Sequence, residues 1–392
     1  MQRNRRLLTM IPPVRPAARV FDVLASMFST SRESSFEDEL KRCAGRRTVE
    51  LFGSGRAALA QRLLRLERSD RDEVLVPAYT CWSVPAAVVR ANLKVRLVDV
   101  DPVTLAPDAE QLTTLPTSRL EAIVVTHLFA DTCDVDRISD IFASRDPNVL
   151  VIEDAAQCWP TRRPSRADAV VLSFGRGKPM ALGGGGALLH DNPPEARPEV
   201  GAGRNLARGL AFLAALVLSS PRFFRIAAAM PGIGIGETIY DPQFPVNDAL
   251  SLWQRRLGAK LLAQIDQCER ARGEIAAQLR AVVSHQVGWH APGRCWLKGP
   301  IRLPLLAPTR MDRDRVVSAL RRDGVYAGPM YPGTLADIQN LRPHLVNPDE
   351  RLDGARALAD RLLTIPVYPM MSRGDVDHVG ESLLSAFGAA RP

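Results

Sequence analysis

Apolar strand patterns alternate with helical patterns from about Val74 to Leu189, and this alternation constrains the fold more than any other feature of the chain. Parallel strands need a crossover between them, usually a helix, so the alternation predicts an α/β protein with a mostly parallel, doubly wound sheet. Open sheets of this kind bind ligands beyond the carboxyl ends of their strands. The residues that follow each apolar strand are therefore the first candidates for a functional site.

Amphipathic helical patterns resume at 250–279 and lead into a smaller C-terminal unit, where 313–322 and 350–363 are predicted helices. A chain of 392 residues with 46% hydrophobic residues can bury a large core and has the length of two domains. The predicted organisation is an N-terminal arm at 1–45, a large domain at 46–270 that carries an apolar insertion at 206–230, and a small α/β domain at 271–392.

Cysteine usage and charge limit the class of protein. The six cysteines form no C-x-x-C pair, which argues against zinc or any other metal site and against a disulfide framework, and favours a reducing compartment. The net charge of +8 comes from arginines spread along the chain without interleaved aromatics. We therefore expect attraction for an anionic substrate such as a nucleotide diphosphate, and no nucleic acid as partner.

The start of the chain carries Arg3, Arg5 and Arg6 before a proline-rich stretch. It lacks the long apolar core of a secretory signal. The sequence therefore predicts a cytoplasmic protein whose first residues form an arm that packs on a dimer.

Lys178 follows the predicted strand 167–174 and precedes four consecutive glycines at 183–186. Only five of the 51 basic residues are lysines. An arginine is effectively always protonated, whereas a partly desolvated lysine can lose its proton and form a Schiff base. The glycines would let the backbone approach a bound group closely. Lys178 is therefore a candidate cofactor anchor, and the alternative is a surface lysine in a flexible loop.

Asp154 comes at the end of a second apolar strand, 148–152. A lysine and a carboxylate at the ends of two strands form the pair that pyridoxal phosphate needs. The lysine holds the aldehyde, and the carboxylate keeps the pyridine nitrogen protonated so that the ring accepts electrons. The alternative for Asp154 is the N-cap of a following helix, which the same residue could also provide.

A Gly-Ser-Gly turn around Ser54 and Gly55 runs into the helical pattern at 60–66. Glycines and a hydroxyl at the start of a helix supply free N–H groups and the positive end of the helix dipole, which suits a phosphate. Such turns also occur without ligands. The order of phosphate turn, acidic strand end and lysine nevertheless describes one cofactor site.

Seven ordered segments between about residues 50 and 385 carry a family resemblance. They are SGRAAL at 54–59, DEVLVPAYT at 72–80, VDVD at 98–101, HLFA at 127–130, EDAAQ at 153–157, SF at 173–174 with Lys178, and LTIPVYPMMS at 363–372. This set resembles the DegT/DnrJ/StrS-type pyridoxal-phosphate aminotransferases, many of which aminate keto sugars carried on nucleotides. The resemblance implies a fold-type-I transferase with pyridoxal 5′-phosphate as cofactor.

Carried over position by position, the resemblance implies a role for each matching residue. Lys178 would form the imine and shuttle protons, Asp154 would partner the pyridine nitrogen, and Gln157 would bond the phenolic oxygen of the cofactor. The other implied contacts are phosphate binding by Ser54, Gly55, Arg56 and Ser173, phosphate binding in the neighbouring subunit by Asn247, contact with the ring by Cys81 or Trp82, and contact with the substrate by His127 and Tyr331.

The implied role of Asn247 predicts a homodimer with shared active sites. Its alternative is the N-cap of a helix that begins near 249–250.

Four positions depart from the family pattern. Arg56 replaces a threonine, Cys81 replaces the stacking aromatic, Gly184 replaces an acidic residue, and Ala249 replaces an arginine. The Arg56 side chain could make a charged contact with the phosphate or face solvent. These changes leave the chemistry of Lys178 intact, but they motivate a second hypothesis, a cofactor-binding regulatory or scaffold protein without turnover.

The sequence predicts an aminotransferase that moves an amino group from an amino acid, with glutamate as the expected donor, to a keto group on a nucleotide-linked sugar. Lys178 favours transamination, because the sugar dehydratase branch of the family has a histidine at this position. The remaining alternative is a pyridoxal-phosphate enzyme that acts on a non-sugar or lipid-linked substrate.

Residues 206–230 have no counterpart in the family pattern. The uncharged apolar stretch 210–218 is shorter than the ~20 residues that span a bilayer. Three interpretations stay open. The segment could be a buried helical hairpin or dimer contact, an interfacial membrane patch with arginines at its edge, or a lid over a hydrophobic substrate.

Overall fold

The computed structural model describes residues 9–29, 35–66, 70–130, 133–158, 165–193, 202–230, 239–293 and 299–388. Helices α1 (Val20–Phe28) and α2 (Phe36–Ala44) come first. The strands of the main sheet follow as β1 (Thr48–Phe52), β2 (Glu73–Pro77), β3 (Lys94–Val98), β4 (Leu120–Thr126), β5 (Leu150–Asp154), β6 (Ala169–Ser173) and β7 (Gly186–His190). The helices among them are α3 (Gly55–Leu64), α4 (Ser83–Arg90), α5 (Ala109–Thr114) and α6 (Val135–Arg145).

The second half of the described chain is mainly helical. It contains α7 (Ala202–Leu218), α8 (Pro221–Ala229), α9 (Leu252–Leu262), α10 (Ile265–Val283), β8 (Arg302–Leu306), α11 (Arg310–Arg322), two 3₁₀ turns (Leu335–Asp337 and Gln339–His344), α12 (Asp353–Arg361), β9 (Leu362–Pro366) and α13 (Arg373–Gly388). Strands β8 and β9 form an antiparallel pair of their own.

The main sheet has the strand order β1-β7-β6-β5-β4-β2-β3. The pairs β2–β3, β2–β4, β4–β5 and β5–β6 are parallel, and β7 pairs antiparallel with both β6 and β1. Six of the seven strands therefore run in one direction, and only β7 is reversed. This confirms the mostly parallel α/β sheet predicted from the alternation, and it brings the carboxyl ends of six strands to one edge.

Residues that alternate along the strands pack into different cores, because side chains of a strand point to opposite faces. Ala169 and Val171 of β6 join one core, whereas Val170 and Leu172 join a second core that contains α2, α9 and part of α7. Strands β2, β4 and β7 are buried along their whole length, and β5 and β6 at all residues but one, as expected for a sheet covered on both faces.

The predicted helix at 350–363 is too long at its C-terminal end. Helix α12 ends at Arg361, and Leu362 begins β9, where it pairs with Leu306. Leu362 and Leu363 are fully buried. The apolar residues at this point pair with β8 as a strand, so the helix does not continue through them.

The described part of the N-terminal arm packs on its own chain. The N–H of Ile11 donates to the carbonyl of Gly324 at 2.7 Å, and Val14 lies against Gly177. The first eight residues, and with them the arginines at the start, lie outside the described residues. The predicted packing of the arm on a dimer stays a prediction.

Candidate active site

The site residues predicted from the sequence converge on one edge of the main sheet. Ser54 follows β1, Asp154 ends β5, and Ser173 ends β6. These three strands run in the same direction, so their carboxyl ends meet. Strand β7 lies between β1 and β6, and its Gly186 pairs with Phe52 on one side and with Ser173 on the other. The reversed strand thereby brings the Ser54 turn next to Ser173.

The turn at Ser54 and Gly55 begins helix α3 and packs tightly against the neighbouring strands. The Ser54 hydroxyl caps the helix by accepting from the N–H of Ala57 at 3.2 Å. A Cβ at Gly55 would lie 3.2 Å from Ser173 Oγ, and a Cβ at Gly186 would lie 2.5 Å from the Gly55 nitrogen. Both glycines are required by this close approach. The start of α3 and the Ser173 hydroxyl form a cup that suits a phosphate.

Lys178 lies in the loop after β6, beside the phosphate cup. A Cβ at Gly175 would be 3.7 Å from both Lys178 Cγ and Ser173 Oγ, so the two side chains flank the same glycine. The Lys178 side chain is partly exposed. Because β5 and β6 are neighbouring parallel strands, Asp154 and the loop of Lys178 lie at the same edge of the sheet.

The glycines behind Lys178 serve packing in this structure. Gly183 and Gly185 have φ of 78° and 100°, where side chains are disfavoured. A Cβ at Gly183 would lie 2.7 Å from the Phe212 ring, and one at Gly185 would lie 2.2 Å from Leu250. At these two positions the missing side chains leave room for Phe212 and Leu250, and the approach of the glycine run to a bound group stays a prediction.

Asp154 is a buried carboxylate, with 5% of the residue exposed. Burial raises its pKa, and the charge of Lys178 acts in the opposite direction. Its Oδ1 accepts from the N–H of Ala156 at 3.0 Å, and the described residues place no ion pair on it. A ring N–H of a bound cofactor would provide the missing cationic partner, so the site fits pyridoxal phosphate. The N-cap alternative fails within the described residues, because a turn follows Asp154 through residue 158.

Gln157 is held by bonds to two distant segments. Its Oε1 accepts from the N–H of Phe129 at 2.9 Å, and its Nε2 donates to the Tyr331 hydroxyl at 2.7 Å. Tyr331 also packs its ring edgewise on Tyr79 with 5.2 Å between centroids. Tyr331, a predicted substrate residue, is therefore held at the site by its hydrogen bond with Gln157.

His127 lies buried beside Asp154, and both of its ring nitrogens contact protein groups. Nδ1 accepts from the N–H of Cys133 at 3.3 Å, and Nε2 lies 3.1 Å from the Glu153 carboxylate. Because Nδ1 is an acceptor, the neutral ring carries its proton on Nε2 and donates it to Glu153. A substrate contact by His127 would have to break one of these bonds.

A cluster that the sequence did not predict surrounds this histidine. Donor atoms of His127, Glu153 and Cys158 lie within 4.8 Å of one another, a spacing that could hold a metal ion. The cysteine spacings gave no sign of it, since Cys158 pairs here with Glu153 of its own segment and with His127 of another. The Glu153 carboxylate also accepts from the Ser165 hydroxyl, so the cluster forms a hydrogen-bonded network in this structure.

Cys81 and Trp82 follow β2 and lie partly buried at the start of α4. The Ser83 hydroxyl lies 3.0 Å from Cys81 Sγ. Burial raises the pKa of the Tyr331 phenol, and the nearby Cys81 thiol raises it further. Trp82 occupies the N-cap position of α4, and its role against a cofactor ring stays a prediction.

Arg56 and Asn247 contact other parts of the chain beside the phosphate turn. The Arg56 guanidinium stacks on Phe244 at 4.6 Å and lies 3.9 Å from Asp241, and its contact with a phosphate stays a prediction. Asn247 is exposed, and its Oδ1 accepts from Gln61 at 2.7 Å. Its N-cap alternative is wrong, because helix α9 begins at Leu252.

Helix α9 carries its own N-terminal cap. Ser251 forms a capping box with Gln254, whose side chain accepts from the Ser251 N–H at 3.1 Å.

An arginine-rich cleft opens beside Lys178, and sequence reasoning missed it. The cleft is shallow and open to solvent. Its polar lining comes from the N-terminal arm, the lysine loop, α10 and the end of β9, through Arg15, Arg176, Lys178, Arg272 and Tyr368.

Arg272 is the most constrained of these residues. It is 4% exposed, its Nε donates to the carbonyl of Gly299 at 2.8 Å, and burial lowers its pKa. Among the described residues no carboxylate forms an ion pair with it. The sequence did contain a signal, because Arg272 falls on the buried face of α10 with Ile265, Ile275 and Leu279.

Comparisons with known proteins identify the family of this chain. The sequence profile of the DegT/DnrJ/EryC1/StrS aminotransferase family matches residues 16–211 and 214–384. The chain is 24% identical over 347 residues to GDP-perosamine synthase of Caulobacter vibrioides, with 83% of this chain and 82% of that protein covered. It is 24% identical over 370 residues to the spore coat polysaccharide biosynthesis protein SpsC of Bacillus subtilis, with 89% and 87% covered.

Two solved structures show the same fold. Helicobacter pylori PseC, an aminotransferase involved in the biosynthesis of pseudoaminic acid, has a TM-score of 0.76 at 16% identity and covers 97% of this chain and 100% of its own. The putative sugar aminotransferase Spr1654 of Streptococcus pneumoniae, in its PLP form, has a TM-score of 0.74 at 17% identity, with 98% and 100% covered. The predicted fold-type-I architecture and cofactor are thereby confirmed, and the chain belongs to the DegT/DnrJ/EryC1/StrS family of pyridoxal-phosphate-dependent aminotransferases.

Proposed function

We propose that this aminotransferase takes its amino group from an acidic amino acid, with glutamate as the expected donor, and delivers it to a keto group on a nucleotide-linked sugar. The observation that carries the donor half is the arginine-rich cleft beside Lys178. A buried guanidinium without a carboxylate partner is costly, and an anionic ligand would relieve that cost.

The acceptor half is supported by the relatives. The Caulobacter relative is named for a GDP-linked sugar, and the names of SpsC and PseC place those proteins in polysaccharide and pseudoaminic acid biosynthesis. The net charge of +8 suits a substrate with a diphosphate, because long-range attraction raises the rate of encounter with anions.

The residues of the site divide the work. Pyridoxal phosphate, when bound, supplies an electron-accepting ring and a carbon that takes up and releases the amino group. Ser54, Gly55 and Ser173 would hold the phosphate, and Asp154 would hold a proton on the ring nitrogen. Lys178 Nζ would anchor the cofactor and, once displaced by the donor, would move the proton at the donor α-carbon.

The cleft would orient the donor. A carboxylate that enters beside Lys178 meets Arg272 from α10 and Arg15 from the arm. Both are guanidiniums, which bind carboxylates with two parallel hydrogen bonds and fix their direction. The Tyr368 hydroxyl, 2% exposed and without a hydrogen-bond partner among the described residues, is a further donor on the same wall.

A half-reaction with purified, cofactor-loaded protein tests the donor. Glutamate should convert the visible absorbance of the bound cofactor to the near-ultraviolet band of its aminated form, and alanine should do so much more slowly. Equal rates with glutamate and alanine would contradict an acidic donor. No spectral change with any amino acid would favour the alternative of a cofactor-binding scaffold.

A screen of keto acceptors tests the other half. Protein converted by glutamate should return to its starting spectrum with nucleotide-linked keto sugars, and mass spectrometry should show the aminated sugar. If the protein returns to its starting spectrum at the same rate with the free keto sugar, the nucleotide is not required for recognition of the acceptor. Return only with an aromatic or lipid-linked ketone would support the non-sugar alternative.

A further inference from the structure

The insertion that follows the main sheet presents an exposed apolar surface. Of the seventeen large hydrophobic residues that are exposed in the described parts of the chain, eleven lie on α1, α7, α8 and the residue that ends α8. We call this surface the apolar face, and its residues are Val20, Phe21, Leu24, Phe28, Leu206, Leu210, Val217, Leu218, Phe223, Ile226 and Met230. Single exposed hydrophobics are ordinary, but a clustered set marks a surface that contacts another body.

The helices that carry the apolar face are packed together. A Cβ at Gly209 of α7 would lie 2.5 Å from the Met27 sulfur of α1, so these two helices touch at a residue without a side chain. Ser219 and Ser220 join α7 to α8, and the two helix axes bend by 104°. Two helices joined by a bend can still lie in one plane.

The opposite sides of α7 and α8 fix the face to the body of the protein. Phe212 of α7 is 2% exposed and stacks on Trp253 with 6.1 Å between ring centroids. Phe224 of α8 packs edgewise on Tyr326 at 5.3 Å. The hairpin is therefore half buried, as one interpretation of the sequence predicted, and its other side is held outward in a fixed orientation.

The exposed side of α7 is apolar along its whole described length. Leu206, Leu210, Val217 and Leu218 share it with alanines at 207, 211 and 214, so no polar side chain interrupts the stripe. Interfaces between proteins carry about one hydrogen bond per 100–200 Å². The stripe on α7 has no polar side chains that could form such hydrogen bonds. The acyl region of a bilayer does not require them.

The charges on α7 and α8 are positive, whereas α1 also carries Asp22, which forms an ion pair with Lys260. Residues 202–230 contain four arginines and no acidic residue. Arg222 is exposed on α8, whereas Arg208 of α7 forms an ion pair with Asp248. A two-fold contact between copies of this chain through the face would bring the exposed arginines together without a carboxylate from the same segment. A surface of anionic headgroups would instead pair with them.

We infer that the apolar face docks the protein on the surface of an anionic lipid bilayer, with α1, α7 and α8 lying in the interfacial plane. Among the described residues no single helix is long and apolar enough to cross a membrane, and α7 with α8 passes that criterion only as a bent pair. Helices that lie in the interface bury their apolar side in the headgroup and acyl boundary and add attraction from basic residues. This inference does not depend on which ketone is aminated.

Flotation with vesicles tests it. Wild-type protein should float with vesicles of phosphatidylglycerol and phosphatidylcholine at low salt, and less at high salt, because salt screens the arginines. Leu210→Asp with Val217→Asp should abolish flotation. The matched control is Val287→Asp with Met311→Asp, two residues exposed outside the apolar face, and it should float like wild type. Arg222→Glu should weaken flotation with anionic vesicles.

Three outcomes would overturn the inference. They are failure of wild type to float with any vesicle, equal flotation with pure phosphatidylcholine, and equal loss of flotation in the control pair. Light scattering without lipid tests the alternative that a second copy of the chain covers the apolar face. If Leu210→Asp with Val217→Asp changes the oligomeric state while wild type binds no vesicle, the face is a contact between copies. If the aspartate pair fails to fold, serine at the same two positions replaces it.

Discussion

The amide of Gln157 connects the end of β5 to Tyr331, 174 positions further along the chain, by donating to the phenolic oxygen at 2.7 Å. The Oε1 atom of the same amide accepts from the N–H of Phe129. One side chain therefore fixes both the strand edge and a C-terminal residue at the candidate site. Since the phenol acts as acceptor in this bond, its own proton remains to be donated elsewhere.

Tyr331→Phe should destabilise the protein by about 1–3 kcal/mol, because the buried Nε2 of Gln157 loses its acceptor. Denaturant unfolding measures the loss. Cofactor affinity should fall as well if Gln157 contacts the ring, and a titration followed by absorbance measures it. The control is Tyr326→Phe, which removes a phenol at another place and should change neither quantity to the same degree.

Lys178→Ala should abolish the covalent linkage to the cofactor and its visible absorbance while the fold is retained, since the position supplies the only amine of the described site. Absorbance spectra and borohydride reduction followed by peptide mapping measure the linkage. Lys94→Ala is the control, because Lys94 forms a surface ion pair with Asp72. A reducible adduct on a lysine other than 178 would show that the anchor is assigned wrongly.

Asp154→Asn should bind the cofactor but lose transamination by roughly 100-fold or more, because a neutral amide cannot hold a proton on the ring nitrogen. Single-turnover rates with glutamate measure the effect. Near-normal rates in the variant would mean that another group protonates the ring. Asp191→Asn, at the opposite end of β7 from Gly186, controls for the loss of a carboxylate.

The sequence predicted the fold and the cofactor pair because both follow from local patterns. Apolar strands alternate with helical segments, and Ser54, Asp154, Ser173 and Lys178 each follow or end a strand. Parallel strands then bring these residues to one edge without further information. The boundary at 350–363 was missed, because pairing of Leu362 with Leu306 is a contact between distant segments.

The cleft beside Lys178 was not predictable from local patterns. It joins Arg15, Arg272 and Tyr368, which come from three parts of the chain. The cluster of His127, Glu153 and Cys158 likewise joins two parts of the chain, since only His127 lies outside the segment 153–158. For the insertion, composition could show an apolar segment, but only the packing of Phe212 showed which side of its helix is buried.

Arg272→Met should raise the KM for glutamate by about 10- to 100-fold, the range expected when a hydrogen bond to a charged group is lost. The stability should stay the same or increase, because a buried charge without a carboxylate partner is removed. Half-reaction kinetics and thermal unfolding measure the two quantities. Arg310→Met, at an exposed arginine of α11, is the control. A loss of stability with an unchanged KM would mean that Arg272 serves only to bind the Gly299 carbonyl.

Phe212→Asp with Leu216→Asp should unfold the large core, whereas Leu210→Asp with Val217→Asp on the same helix should not. Phe212 and Leu216 are 2% and 7% exposed, and both pack in the core that contains Trp253 and Leu182. Two buried carboxylates without partners cost roughly 4 kcal/mol or more, a large part of a stability of about 5–15 kcal/mol. Charges on the exposed side change stability by about 0.5 kcal/mol. Denaturant unfolding of the two pairs compares the sides of α7 directly, and equal losses in both pairs would show that the exposed stripe is also covered in solution.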